Sequence, residues 1–342
     1  VGWAPCHCRS MPGWSLLRPC YAPLMAPPEF DLINRFFSKP EVERTDVILG
    51  VGDDCALLRV PPGMELAVSI DTLVEAIHFP PDTDPESLGH KALAVNLSDL
   101  AAMGARPAWA TLSLTLPEAD ERWLEAFAEG FFNLAGQYEL DLVGGDTTRG
   151  PLSVTVQVLG SVPKGRALRR DGARPGQCIF VTGTLGDAAC ALWQMQTGEP
   201  VEPGLLERLN RPEPRVAFGR GLVAVGSAAI DISDGLLADL GHIVTASNCG
   251  ATLWVDRLPL SPLLTAQVPS AQVLISQLGG GDDYELCFCV EPTDVAALQA
   301  LARDCALAVT EVGVIEPQPG VRCRHDDGSG YQPGVRGFDH FA

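Results

Sequence analysis

The sequence predicts an α+β protein built as two domains. Three observations carry this expectation. At 342 residues the chain can bury a sizeable core and exceeds the usual length of one domain. Apolar, strand-like runs and helically spaced runs follow one another with no internal repeat. Between residues 163 and 177 the chain turns polar, basic and punctuated by glycine and proline, as a domain boundary does. The expected division is therefore 29–162 and 163–342. Residues 1–28, rich in Pro, Trp and Cys and without periodicity, are expected to be a disordered or non-native extension, with Met25 as the expected natural start.

Each element follows from local pattern. Phe30, Ile33 and Phe37 set a helix over 29–38. Residues 66–71 read as a strand ending at Asp71. A long helix is expected over 86–103, with Leu93, Leu97 and Leu100 on one face and Gly104 as its stop. A strand at 108–116, a helix at 120–137, a short buried strand at Leu140 to Val143 and an alternating strand at 152–160 complete the first half. In the second half, strands are expected at 178–183, 228–232, 251–256, 284–290 and 308–315. Helices are expected from Ala188 to Met195, through His242 to Ala246 and near 293–303.

Composition narrows the function. Hydrophobic content of 46% and charged content of 20% suit a soluble protein, and no apolar run is long enough to span a bilayer. The net charge of −19 argues against nucleic acid or an anionic membrane as partner, since either would repel the chain. The eleven cysteines contain no C-x-x-C pair, so they read as buried free thiols of a cytoplasmic protein, not as a zinc site.

Six short aspartate motifs run along the chain: Gly52-Asp53-Asp54, Ser69-Ile70-Asp71, Asn96-Leu97-Ser98-Asp99, Gly144-Gly145-Asp146, Asp231-Ile232-Ser233-Asp234-Gly235 and Gly280-Gly281-Asp282-Asp283. Any one could be an ordinary turn. Together they suggest carboxylates gathered in one place, which requires cations to offset their repulsion. Oxygen donors point to magnesium, and magnesium points to phosphate chemistry. Asp99 is the strongest single case, because a carboxylate inside a mostly apolar helix needs a partner. Gly145-Asp146 offers close backbone approach to a phosphate, and the amides around Ser233 offer either phosphate binding or a helix cap. His78 reads as an anion contact or a loop cap, and the basic stretch 163–177 as an anion-binding arm or a linker. No P-loop, kinase signature or nucleophile elbow is present, and Lys39, Lys91 and Lys164 are the only lysines. Phosphate chemistry here must rest on Asp, metal, backbone amides and Arg.

Taken in order, Gly50-Val51-Gly52-Asp53-Asp54-Cys55-Ala56, Lys91 through Ala105, Gly144 through Gly150, Asp231 through Leu236 and Gly281 through Leu286 resemble the thiamine-monophosphate kinase family. The resemblance spans about residues 29–342, including Gly337-Phe338-Asp339-His340-Phe341. It implies the aminoimidazole-ribonucleotide-synthetase-like fold, two domains of mixed sheets packed with helices, and a homodimer through the N-terminal domains. It implies a phosphotransferase, with ATP and thiamine phosphate giving ADP and thiamine diphosphate. By that resemblance Asp54, Ser69, Ile70, Asp71, Asp99, Asp146, Asp231 and Asp234 hold several magnesium ions. Gly145, Asp146, Arg170 and Ser233 contact ATP, while His78, Asp282 and Phe338 contact the thiamine substrate. Relatives often carry Thr at Ile70, which offers only its carbonyl, and Glu at Asp282, whose arm is shorter. The alternatives are a sister enzyme of the same superfamily and a non-enzymatic binder of divalent ions. Among sisters, a selenophosphate synthase needs a reactive Cys early in the fold and a hydrogenase-maturation protein a terminal Cys, where this sequence shows His340-Phe341-Ala342.

Overall fold

The computed structural model describes residues 29–38, 44–335 and 337. The first half opens with α1 (Glu29–Leu32), which runs on as a π-turn over Ile33–Phe37, and a hairpin of β1 (Val47–Leu49) and β2 (Leu57–Leu58). It continues with β3 (Met64–Val74), α2 (Pro85–Ala102), β4 (Arg106–Leu116), α3 (Glu121–Gln137), β5 (Asp141–Arg149) and β6 (Ser153–Pro163). These strands form a four-stranded sheet in the order β3-β6-β4-β5, with only the β4/β5 pair parallel.

The second half supplies β7 (Cys178–Thr182), α4 (Asp187–Thr197), α5 (Pro203–Asn210), α6 (Val216–Leu222), β8 (Gly226–Asp231), α7 (Leu236–Ala246) and β9 (Gly250–Trp254). It ends with α8 (Pro262–Gln267), α9 (Ser270–Gly279), β10 (Leu286–Val290), α10 (Val295–Asp304), β11 (Val309–Glu316), β12 (Gly320–Arg324) and β13 (Gly330–Tyr331). Its seven strands form one mixed sheet in the order β13-β12-β9-β11-β7-β10-β8.

Helix α2 organises the whole. The Asp84 side chain caps it by accepting from the Ser87 amide, Pro85 presets its first turn, and Gly104 at φ +69° ends it. It crosses α3 where Gly89 and Gly130 remove the side chains: a Cβ on Gly130 would lie 1.8 Å from the Glu86 carbonyl oxygen. Leu93, Leu97 and Leu100 are fully buried in a core that continues through Phe218 into Phe180 and Phe288 of the second sheet. One hydrophobic core therefore spans both halves. A second core lies on the other face of the seven-stranded sheet, where Leu236, Leu240 and Ile243 of α7 cover Ile230, Leu253 and Val312. Cys190, Cys249, Cys287, Cys289 and Cys323 are buried free thiols, as their pattern suggested.

Polar contacts reinforce the junction. The segment after α5 docks on the first half: His90 Nε2 lies 2.9 Å from the Pro212 carbonyl, and the Tyr138 hydroxyl donates to the Pro214 carbonyl at 3.0 Å. Arg208 and Arg215 converge on Glu285, which is 1% exposed, at 2.8 and 2.6 Å.

Three expectations are corrected. Strand β3 continues past Asp71 to Val74, because Leu73 still pairs with Val154 on β6. Gly144-Gly145-Asp146 is not a loop after a short strand but part of β5, parallel to β4. The strand expected from 284 begins at Leu286, because Asp282 at φ +64° and Tyr284 at φ +49° turn the preceding chain. Helices α5, α6, α8 and α9 and the β12–β13 hairpin were not expected.

Candidate functional site

A cleft of about 950 Å³ opens where the end of β3, the 76–81 turn, α2, the loop after β8, α4, α9 and the 279–284 loop meet. Asp71, Asp99, Asp231, Asp234 and Asp282 supply its acidic lining, while Ile77, Leu192, Trp193 and Ile275 supply apolar surface. Strand alternation turns Ser69 and Asp71 toward α2, where the Ser69 hydroxyl donates to Asp99 Oδ2 at 2.5 Å. The Asp71 amide donates to Asn96 Oδ1 at 3.0 Å, and Asn96 is itself anchored to the Ala92 carbonyl at 3.0 Å. The Asn96/Asp99 pair of α2 thus fixes β3 by one turn of helix spacing.

The electrostatics record crowding. Burial first, then the charges of Asp99 and Asp234, push the Asp71 carboxyl up to about 6. Burial raises Asp99, against the lowering pull of Ser69 and Arg170. Asp231, 4% exposed, is raised well above the usual carboxylate range by burial and then by Asp99, with Asp239 and Asp71 adding to it. Four carboxylates from three stretches of chain, Asp71 on β3, Asp99 on α2, and Asp231 and Asp234 at the end of β8, therefore share one corner of the cleft. Among the described residues, no three His, Cys, Asp or Glu side chains already close around a single ion.

The loop after β8 carries a fourth correction. The amides of Ser233, Asp234 and Gly235, at the start of α7, do not stand free for a phosphate. All three donate to Asp239 Oδ2 at 3.1 Å, from within the first turn of α7. A built-in carboxyl group occupies this nest. Asp239 is 2% exposed, and burial together with Asp234 pushes its carboxyl up to about 7. The same logic that singled out Asp99, an acid among apolar residues of a helix, would have found Asp239 beside Leu236 and Leu240. Nothing in the sequence pattern flagged Leu192 or Trp193.

The remaining candidates divide. Ile70, His78, Ser233 and Asp282 line the cleft, and His78 Nδ1 accepts from the Val74 amide at 3.0 Å. Arg170 is exposed, yet near enough to act on Asp99. Asp54 is exposed outside the cleft lining. Asp146 is exposed on the sheet face that carries Thr72, Thr155 and Ser113, opposite to the face of Asp71. Gly145 packs against β4: a Cβ there would lie 1.9 Å from the Leu112 carbonyl oxygen. Phe338 lies outside the described residues.

Two sheets joined by a shared helix, with aspartates at their junction, define an AIR synthase-related protein. Residues 52–162 match the family described as AIR synthase related protein, N-terminal domain, and residues 174–326 match its C-terminal domain. Within that class, the chain belongs to the thiamine-monophosphate kinase family. It is 50% identical over 327 residues to the thiamine-monophosphate kinase of Salmonella typhimurium, covering 93% of this chain and 99% of the relative. The Escherichia coli enzyme is 49% identical over 323 residues, with the same coverage. The crystal structure of the Stenotrophomonas maltophilia kinase is 50% identical, with a TM-score of 0.79 over 84% of this chain and 93% of that one. AaThiL complexed with AMPPCP and TMP is 31% identical, with a TM-score of 0.72 over 83% and 89%.

Proposed function

We propose that this protein transfers the γ-phosphoryl group of ATP to thiamine phosphate in the cleft, giving ADP and thiamine diphosphate. The observation that carries the reading is the convergence of Asp71, Asp99, Asp231 and Asp234 on one cleft between the two sheets. The acceptor's phosphate oxygen is already anionic near neutral pH, so no side chain need act as a general base. What the chain must supply is alignment of two polyanions and relief of their repulsion.

The donor set fits magnesium. Every candidate ligand is an oxygen; burial raises Asp71, Asp99 and Asp231, and neighbouring carboxylates add to the rise of Asp71 and Asp231, so a cation would be favoured there. Asp71, Asp99, Asp231 and Asp234 would hold Mg²⁺, which would offset the charge of these carboxylates and of the phosphates brought beside them. Ser69 orients Asp99, the Ile70 carbonyl lies beside Asp71, and Asp239 holds the Ser233-Asp234-Gly235 loop in place. Arg170, Gly145 and Asp146 are assigned to ATP, as is Ser233 through its hydroxyl, since its amide is held by Asp239; His78, Asp282 and Phe338 are assigned to the thiamine moiety.

Residues 29–162 are read as the domain that dimerises and carries most metal ligands, and 163–342 as the second domain. Leu66, Val68 and Ile70 on the outward face of edge strand β3 are 44%, 51% and 57% exposed. A homodimer that covers this sheet face would bury them and enclose Asp146 at the subunit boundary. Asp54 is assigned to metal as well. No helix among the described residues is long and apolar enough to cross a membrane. The −19 charge leaves nucleic acid disfavoured, and the free thiols fit the cytoplasm.

The test is incubation with ATP, Mg²⁺ and thiamine phosphate, with thiamine and no-acceptor controls, followed by chromatography of the thiamine species. Thiamine diphosphate formed only from the monophosphate is the expected result. ATP hydrolysis with no thiamine diphosphate would sink the assignment.

A further inference from the structure

Lys91 sits on the same face of α2 as Val95 and Asp99, at successive intervals of four residues, and those two residues line the cleft. Lys91 itself is 1% exposed. An ammonium buried this deeply is costly unless it is paired. Its partner comes from the other domain: Asp282 Oδ1 lies 3.1 Å from Lys91 Nζ. The same oxygen accepts a hydrogen bond from the Tyr284 hydroxyl at 3.0 Å. Burial raises the Tyr284 phenol far above its ordinary value, so it remains a donor.

Two protein donors therefore converge on one oxygen of a carboxylate that lines the cleft and keeps 27% side-chain exposure. The second oxygen is left for a ligand. The backbone beneath it adopts the left-handed region at Asp282 and Tyr284, which non-glycine residues enter only when held. It is held by amide bonds to the loop after β8: Asp282 to the Ser233 carbonyl at 2.9 Å and Tyr284 to the Ile232 carbonyl at 2.8 Å. Lys91 and Asp99 are eight residues apart (99 − 91) on one helix, about 12 Å along its axis. The helix thus sets the distance between the carboxylate cluster and Asp282.

We propose that Lys91 is a positioning residue for acceptor recognition: together with Tyr284 it locks Asp282 so that its free oxygen meets the acceptor's thiamine moiety, whose cationic thiazolium ring and exocyclic amino group both attract a carboxylate. This rests on the assignment of thiamine phosphate to the cleft and adds a residue that touches no substrate. An ion pair that served only to join the domains would affect both substrates alike, whereas a positioning pair affects one.

The test measures KM for each substrate in K91M, Y284F, D282N and K91M/D282N, with thermal unfolding of each. The wild-type chain must first turn over thiamine phosphate; if it does not, the kinase reading fails independently of this one. In K91M, KM for thiamine phosphate should rise at least tenfold while KM for ATP stays within twofold. K91M/D282N should be no worse than the more impaired single variant, since both remove one interaction. If K91M does not fold, Y284F, which loosens the same oxygen, should still raise the acceptor KM severalfold. An unchanged acceptor KM, equal rises in both KM values or multiplicative effects in the double variant would each overturn the proposal.

Discussion

The Ser69 hydroxyl donates to Asp99 Oδ2 at 2.5 Å, joining the edge strand of the first sheet to the helix that both domains share. Asp99 has one other lowering influence on its carboxyl, the Arg170 charge, so Ser69 is its main fixed donor. Asp99→Asn removes the charge proposed to hold metal without changing shape, and should lower turnover at least ~100-fold while the melting temperature does not fall. Ser69→Ala should cost about tenfold, because Asp99 keeps its charge but loses its orientation. Steady-state kinetics with a melting curve separate the two. Near-normal turnover in Asp99→Asn would remove the shared-carboxylate centre.

Stability should depend on pH and on Mg²⁺ in a linked way. Asp71, raised to about 6, and Asp239, raised to about 7, bind protons more tightly when folded than the ordinary carboxylate value of 3.8 implies. Their contribution is fully present below that value and is lost as pH rises through 6 to 7. The metal-free protein should therefore melt lower at pH 8 than at pH 5.5, by several degrees. Adding Mg²⁺ should restore the loss at pH 8 and do little at pH 5.5, where protons already relieve the repulsion. Calorimetry with and without EDTA checks this; an identical Mg²⁺ effect at both pH values would contradict it.

Asp239 fills the nest that the Ser233-Asp234-Gly235 loop presents. Asp239→Ala strands three amides, each worth about 1–3 kcal/mol when buried and unpaired. The loop should then lose its fixed geometry, and the Mg²⁺ concentration for half-maximal turnover should rise about tenfold or more. Asp239→Asn, which keeps an acceptor oxygen, should show a smaller rise. A Mg²⁺ titration of both variants decides the matter: an unchanged requirement in Asp239→Ala would show that the loop does not need this carboxyl group.

Much of this was legible in the sequence, for identifiable reasons. Helix α2 was readable because its apolar spacing and Gly104 stop are local signals. Asp99 was readable because an acid inside such a helix violates local preference, and violations mark sites. The shared core, in which Phe218 of α6 packs on Phe288 of β10, depends on long-range packing that periodicity cannot supply. At Asp146 the local signal of Gly-Gly-Asp favours a turn. The structure keeps it in β5, where parallel pairing with β4 overrides that preference. The amides of the loop after β8 looked free because the occupying carboxylate comes from Asp239, four to six residues further on.

The two glycines of β5 should behave differently, although they are adjacent and were read together. A Cβ on Gly144 would meet only Thr111 Cγ2 at 3.9 Å, an ordinary contact. A Cβ on Gly145 would lie 1.9 Å from the Leu112 carbonyl oxygen, inside the ladder between β4 and β5. Backbone cannot yield there without parting the strands, so Gly145→Ala should destabilise by about 2–3 kcal/mol or more. Gly144→Ala should change stability by about 0.5 kcal/mol or less, since it meets no such obstacle. Denaturant unfolding of the two variants in parallel measures the difference. Equal stability would mean that β5 can slide away from β4, and the close approach would then have to be explained by a ligand contact of Gly145 rather than by strand packing.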